Sequence, residues 1–429
     1  MKKHISLVVA AALALAACDA QKVPITGTRV AVVNYENSVK VDAETKDVSV
    51  VLPPSELGRG WPQVGGGAEH FMPHLSLKDT IEPYWAVSIG SGNGEGRFLS
   101  SPIVNEEVVY ALDTTGRVQA FQASSGEVLW ESDISPEGRQ DAIIGGGLAY
   151  GNGKIFVTSP HAEVLALDAK SGQILWRIFT TSPVRAAPTY ADGRLYVLTI
   201  SNQLDILDAE SGVRLWEHAG ITEHAGLLGT ASPVVSKGVV VVTYSSGEIF
   251  ALKSENGHQL WTETLSSTRR PDSLSSLSHI RALPVIDQNK VIVIGHNHKM
   301  AAYDLRRGER LWERNIGGTR TPAVIGGYIF MINSHNEILC LTRDYGQVVW
   351  VRKLDSELEN PHKVIWEGPI VAGNKLYLVN TRGVLLALDP ANGNTLAERQ
   401  LNASVSLSPV VAHETLYLLT DGGELMAFH

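Results

Sequence analysis

The sequence predicts an all-β protein, an eight-bladed β-propeller with four antiparallel strands per blade. Three observations predict it. A hairpin pattern ending in tryptophan recurs, as "ALDAKSGQILW" at 166–176 and then as "ILDAESGVRLW", "ALKSENGHQLW", "AYDLRRGERLW" and "CLTRDYGQVVW". The tryptophans fall in one frame, at Trp85, Trp130, Trp176, Trp216, Trp261, Trp312 and Trp350, with Leu396 in the eighth place. The two ends of the repeat region are incomplete in complementary ways. The stretch around Trp85 is a lone fourth strand, and "GGELMAFH" stops three strands into the last unit. Pairing the strand near Trp85 with the C-terminal blade closes the ring and removes two exposed sheet edges.

The first residues read as a signal peptide, 1–17. Lys2 and Lys3 precede an apolar run from Ile5 to Ala17, too short for a stable bilayer anchor. The run ends "LALAAC", and small residues before Cys18 resemble the lipobox of bacterial lipoproteins, which makes Cys18 the expected lipidation site. The competing reading is an ordinary signal peptide with a chance cysteine. More than one acyl chain is needed for firm anchoring. Asp19 follows directly. In enterobacterial lipoproteins an aspartate there resembles an inner-membrane retention signal, so the inner membrane stands as an alternative address to the outer.

Residues 18–60 read as a tether, partly ordered, with "TRVAVVN" and "VSVVLPP" as short strands. The propeller is expected over 61–429. A second landmark supports eight units: a proline followed eight residues later by an aromatic or β-branched residue. Pro102 with Tyr110, Pro188 with Tyr196 and Pro409 with Tyr417 are examples. The second unit keeps the frame through Leu148 and Phe156 without the proline. In the third unit the strands are "RAAPTY", "RLYVLT", "QLDILDA" and "VRLWEH". Aspartate and glycine in "DAKSG" and "DAESG" suit tight turns, the first by bonding turn amides and the second by accepting positive φ. Each tryptophan on an outer strand can pack between neighbouring sheets and bury ~150–250 Å², an upper bound of several kcal/mol.

Composition excludes some functions. Hydrophobic residues at 44% and charged residues at 19% suit a globular chain with a sizeable core. A net charge of −9 argues against a nucleic-acid surface and disfavours acidic substrates. Only two cysteines occur, Cys18 and Cys340. With Cys18 lipidated no internal disulfide forms, and Cys340 in the strand pattern "EILCLT" reads as a buried thiol.

Candidate chemistry is sparse. His296 and His298 in "GHNHK" are two apart, as strand metal ligands can be, but no third ligand stands nearby and a solvated turn fits better. His70 and His74, flanking "FMP", read the same way. No metal site is expected. "GSGNGEG" at 90–96 has no P-loop lysine and reads as a flexible connection. Asp168 and Asp208 read as turn formers, not catalytic groups.

The motif Ala-x-Asp-x-x-Ser-Gly-x-x-x-Trp resembles the tryptophan-docking motif of eight-bladed quinoprotein-like propellers. Together with the lipobox, the "WPQVGG" stretch at 61–66 and the eight units, the chain resembles the BamB family of outer-membrane protein assembly factors over nearly its whole length. The resemblance implies a non-enzymatic, lipid-anchored scaffold without cofactor on the periplasmic face of the outer membrane. Its implied partners are the periplasmic domains of the barrel-forming subunit and unfolded outer-membrane proteins. Two alternatives remain. One is a pyrroloquinoline-quinone-dependent dehydrogenase, which shares the fold but needs Ca²⁺ ligands and a catalytic aspartate. Many such enzymes carry a vicinal cysteine pair, absent here. The other is a different periplasmic binding lipoprotein. By the resemblance, subunit docking falls on adjacent inter-blade connections, matching Leu227 and Leu228 in "HAGLLGTASP". The two leucines alternatively begin an inner strand. Family members carry acidic residues on the next connection. The aligned residues here are His279 and Arg281, so the partner's surface must differ in charge. The polar 262–281 stretch, with Leu274 and Leu277, is a second candidate binding loop.

Overall fold

Strands rich in β-branched and aromatic residues, separated by Gly- and Asp-bearing turns, fold into short antiparallel meanders. A computed structural model describes residues 39–58, 60–93, 99–136, 145–222, 231–265, 280–296, 299–354 and 364–429. Among these the only helical piece is one 3₁₀ turn, Ala43–Thr45. The strands form eight antiparallel blades. Blades 1 to 7 occupy 103–133, 147–179, 189–219, 234–264, 285–314, 323–353 and 366–400. In blade 3 the order from hub to rim is Thr189–Ala191, Arg194–Leu198, Gln203–Asp208 and Arg214–Ala219. The proline landmark marks register. The residue after each proline pairs with the aromatic, as in Ile103 with Tyr110 and Thr189 with Tyr196, and Ala149 with Phe156 keeps that register in blade 2.

Blade 8 is built from both ends of the repeat region. Val410–Ala412, Thr415–Leu419 and Glu424–Phe428 are completed by Pro83–Ser88. Trp85 pairs with Ala427, Ala86 with Met426 and Val87 with Leu425. Backbone bonds between Glu82 and His429 continue the ladder in both directions. The expected closure is therefore present.

The tryptophans join blade to blade. Trp130 Nε1 donates to the Ala169 carbonyl of blade 2 at 3.0 Å, and Trp261 Nε1 to Leu305 of blade 5 at 2.8 Å. Trp85, Trp216, Trp312 and Trp350 donate to the next blade in the same way. Each ring lies on the glycine of the next blade's outer turn. A Cβ on Gly172 would collide with the Trp130 ring, and Gly126, Gly212, Gly257, Gly308, Gly346 and Gly393 meet Trp85, Trp176, Trp216, Trp261, Trp312 and Trp350 likewise. Gly172 also has φ +72°, so the turn needs glycine for its backbone as well as for space. Leu396 breaks the pattern for a topological reason. The tryptophan it replaces would pack on an outer turn of blade 8. That blade has no such turn, because its last two strands come from opposite ends of the chain.

The turn aspartates behave as expected. Asp168 Oδ1 accepts from the Ser171 amide and hydroxyl, each at 2.8 Å, and Asp208 is bonded to Ser211 in the same way. The serine hydrogen bonds hold both carboxyls below their ordinary range. The buried apolar residues divide into clusters between adjacent blades, such as the one joining Val118 and Ile134 of blade 1 to Leu148 and Leu165 of blade 2. Cys340 is one of these core residues, and burial pushes its thiol far up, as expected of a structural cysteine.

One expectation fails. "VSVVLPP" at 48–54 joins no sheet. Pro53 and Pro54 have no amide to donate, and the Ser49 carbonyl is taken by Tyr328 Oη at 2.9 Å. Val50 and Leu52 instead lay alternate side chains on the core between blades 6 and 7.

Trp261 is 7% exposed and fully bonded, whereas Trp176 Nε1 is buried without a partner. Trp261→Ala should lower stability by about 3–5 kcal/mol, and Trp176→Ala by less, because it also removes an unsatisfied donor. Denaturant unfolding of the two variants checks this; equal losses would show that the indole hydrogen bond adds nothing to docking.

Candidate functional site

The ring has two mouths, and they differ. Inner strands leave one backbone edge unpaired at the hub, a liability unless something covers it. Residues 56–77, most of which the sequence assigns to the propeller proper, build no blade. They run round the mouth where inner strands turn into second strands. Gly60 and Trp61 pair with Asn105 and Val104 of blade 1. The Pro62 carbonyl accepts from Tyr150 of blade 2 at 2.7 Å. Gln63 exchanges two bonds with the Tyr190 backbone of blade 3. Ala68 and Glu69 carbonyls accept from Val235 and Ile286 of blades 4 and 5. Leu75 bonds to blade 7 at Val371 and Gly373, and Leu77 bridges Glu414 of blade 8. Trp61, Met72, Leu75 and Leu77 are buried in the cluster joining blades 7, 8 and 1.

This plug corrects the reading of its histidines as solvated. His70 and His74 are each 1% exposed. His70 Nδ1 bonds the Pro284 carbonyl at 2.9 Å, and its Nε2 is buried without a partner. Burial lowers the His70 pKa to about 4, against the raising effect of the Pro284 bond. His74 bridges the Pro53 carbonyl at 2.7 Å and the Asn374 amide at 3.0 Å.

The opposite mouth carries the inter-blade connections and a charged cluster. Arg320 of blade 6 pairs with Glu367 of blade 7 at 2.9 Å, and its Nε donates to the Trp366 carbonyl at 3.0 Å. Burial pushes the Glu367 carboxyl up to about 7, against the pull of Arg320 and Arg281. Arg281 is solvent-exposed. Enough chain still surrounds its guanidinium that desolvation, reinforced by Arg320, lowers its pKa, while Glu367 opposes. Desolvation and then Arg281 lower the pKa of His296.

Of the sequence-derived site residues the structure places Arg281 here, beside a pair not foreseen. Cys18, Leu227, Leu228, His279, Leu274, Leu277 and His298 lie outside the described residues. The inner strand of blade 4 begins only at Val234. Arg320 and Glu367 had a signal in the repeat frame: each stands two residues before a landmark proline, where Ser100, Ala186, Ala231, Ala282 and Leu407 stand in other units. Among the described residues no cluster of three or more His, Cys, Asp or Glu side chains is arranged to hold a metal ion.

The family profile described as outer membrane protein assembly factor BamB matches residues 78–138, 114–352 and 355–429. The chain belongs to the BamB family. The BamB of Salmonella typhimurium is 30% identical over 363 residues, 83% of this chain and 91% of that one. The BamB of Escherichia coli is 30% identical over 359 residues, 82% and 90% of the two chains. Among solved structures, BamB from Moraxella catarrhalis superposes with a TM-score of 0.70 at 16% identity, covering 82% of this chain and all of that one. A europium-containing methanol dehydrogenase superposes at 0.69 with 14% identity, covering 87% and 98%. At these identities both show the shared fold alone, so the BamB assignment rests on the sequence relatives and the profile.

The two buried groups titrate in opposite senses. The folded His70 value of about 4 lies below its ordinary 6.5, so the unfolded chain binds the extra proton and stability falls as pH drops through that window. The folded Glu367 value of about 7 lies above its ordinary 4.5, so stability rises as pH drops from 7 towards 4.5. Glu367→Gln should therefore steepen the loss on acidification relative to wild type, exposing a His70 contribution of about 3 kcal/mol. His70→Gln should tilt the curve the other way. Urea unfolding from pH 4 to 8 reads both, and curves parallel to wild type would refute the assignment.

Proposed function

We propose that this protein is a non-enzymatic scaffold of the outer-membrane β-barrel assembly machinery, held on the periplasmic face of the outer membrane by lipid on Cys18. In this reading it binds the periplasmic domains of the barrel-forming subunit and helps unfolded outer-membrane proteins reach insertion. The observation that carries the reading is membership of the BamB family across more than four-fifths of the chain. The division of the hub supports it. One mouth is spent on the plug, which leaves the face with Arg281 and the inter-blade connections for a partner. Leu227 and Leu228 are the apolar part of that docking surface, with His279 and Arg281 beside them. A positively charged neighbour calls for an acidic patch on the partner.

The dehydrogenase reading draws on the methanol dehydrogenase fold match. Against it stand the absence of a vicinal cysteine pair from the sequence and the turn role of the repeated aspartates. Adding pyrroloquinoline quinone and Ca²⁺ to purified protein should give neither a bound chromophore nor alcohol-dependent dye reduction; either signal would favour the enzyme.

Replacing Leu227 and Leu228 with glutamate should cut recovery of the barrel-forming subunit in pull-downs from detergent-solubilised membranes at least tenfold, with the fold intact by circular dichroism. Unchanged recovery would remove the docking assignment. Cys18→Ala should release the protein from the outer-membrane fraction into the soluble periplasm; continued membrane recovery would refute lipid anchoring.

A further inference from the structure

The rims of the blades are sheet edges with backbone groups facing outwards, and one of the eight is covered by the chain itself. On six outer strands the residue just before the tryptophan is 36–51% exposed. At Val349 of blade 6 it is 8% exposed. The difference comes from residues 39–52. The Asp42 amide donates to the Val348 carbonyl at 3.0 Å, and the Val348 amide donates to the Asp42 carboxylate at 2.6 Å. Val50 and Leu52 then bury alternate side chains against the cluster containing Val349 and Trp350, while Val51 between them is 72% exposed. A blade rim of this protein thus holds an extended segment with an apolar residue at every second position.

The rim of blade 2 has the same character and nothing on it. Its outer strand Ile174–Phe179, "ILWRIF", is the free edge of its sheet. The covered strand Val348–Lys353, "VVWVRK", likewise has no acidic residue. The outer strands of blades 1, 3, 4, 5 and 7 carry acids, including Glu131, Glu217, Glu263, Glu313 and Glu398, the charges that keep exposed edges from pairing. The remaining acid-free strand, Pro83–Ser88, starts with a proline that cannot donate to a further strand. Phe179 is 72% exposed and Leu175 46%. The charge of Arg177 is already engaged by Glu163 at 3.1 Å.

We infer that the outer edge of blade 2 binds an unfolded polypeptide segment with apolar residues at alternate positions, the pattern of a transmembrane β-strand, adding it as a fifth strand. Backbone bonds supply sequence tolerance, and Leu175 and Phe179 supply the apolar contact. This rests on the reading of the protein as a handler of unfolded outer-membrane proteins, and it names the surface that does the handling.

The test uses the purified full chain, a fluorescent eleven-residue peptide alternating leucine or tyrosine with serine or threonine, and a urea-unfolded outer-membrane protein. Both should bind by anisotropy, and amide exchange should slow at 174–179. Phe179→Lys, at a site exposed enough to keep the fold, should weaken both at least tenfold. Leu215→Lys, on the rim of blade 3, should leave binding unchanged. Binding untouched by Phe179→Lys, or protection on another outer strand, would overturn the blade 2 assignment while leaving client handling intact. Failure of both peptide and unfolded protein to bind would overturn client handling, and the assignment with it.

Discussion

A four-stranded blade cannot bury both of its faces alone, so every blade depends on the next, and the tryptophan seated on the neighbouring turn is the contact that enforces this. The indole needs a carbonyl and a glycine from the following hairpin. That hairpin needs its aspartate to fix the turn and its glycine to take positive φ. The spacing of the repeat, the residue types in the turn and the angle between sheets are then one constraint seen at three scales. The exception follows from the same logic, since Leu396 stands where the next blade has no outer turn to receive a ring.

Closing the ring removes the edges between first and last units but creates two other sets, at the hub and at the rim. The hub edges are handled by residues 56–77, whose carbonyls and amides meet inner strands around the ring. The rim edges are handled mostly by charge, and at blade 6 by residues 39–52. One continuous segment therefore runs from the rim to the hub and protects backbone at both. Histidines suit the interior of such a plug because an imidazole can meet both an amide and a carbonyl, as His74 does.

The plug also divides the molecule chemically. Its mouth is apolar and backbone-bonded, and the opposite mouth holds the Arg320–Glu367 pair with Arg281 and His296 beside it. A buried ion pair between adjacent blades contributes little net stability, yet losing either partner leaves a charge stranded in low dielectric. Such a pair fixes how blades 6 and 7 meet next to the connections that face a partner. An assembly factor needs that kind of rigid frame, with binding carried on the loops it holds.

The sequence by itself determined the repeat, the register and the closure, because these follow from local rules: two-residue alternation, turn chemistry and a tryptophan in fixed frame. It also carried the family, through motifs that recur along the chain. It misjudged "VSVVLPP" and the pair His70 and His74, and for one physical reason. Whether an extended stretch becomes a strand, or a polar one stays in water, depends on which backbone groups the rest of the fold leaves unpaired. Nothing near residue 70 in the chain says that an inner strand of blade 5 waits there with a free carbonyl at Pro284. The pairing of Arg320 with Glu367 was legible in part, as two charges at a position otherwise small or apolar. Their contact required adjacent blades to bring together residues that local pattern cannot relate. Only the tertiary structure decided which edges are covered and which are left for others.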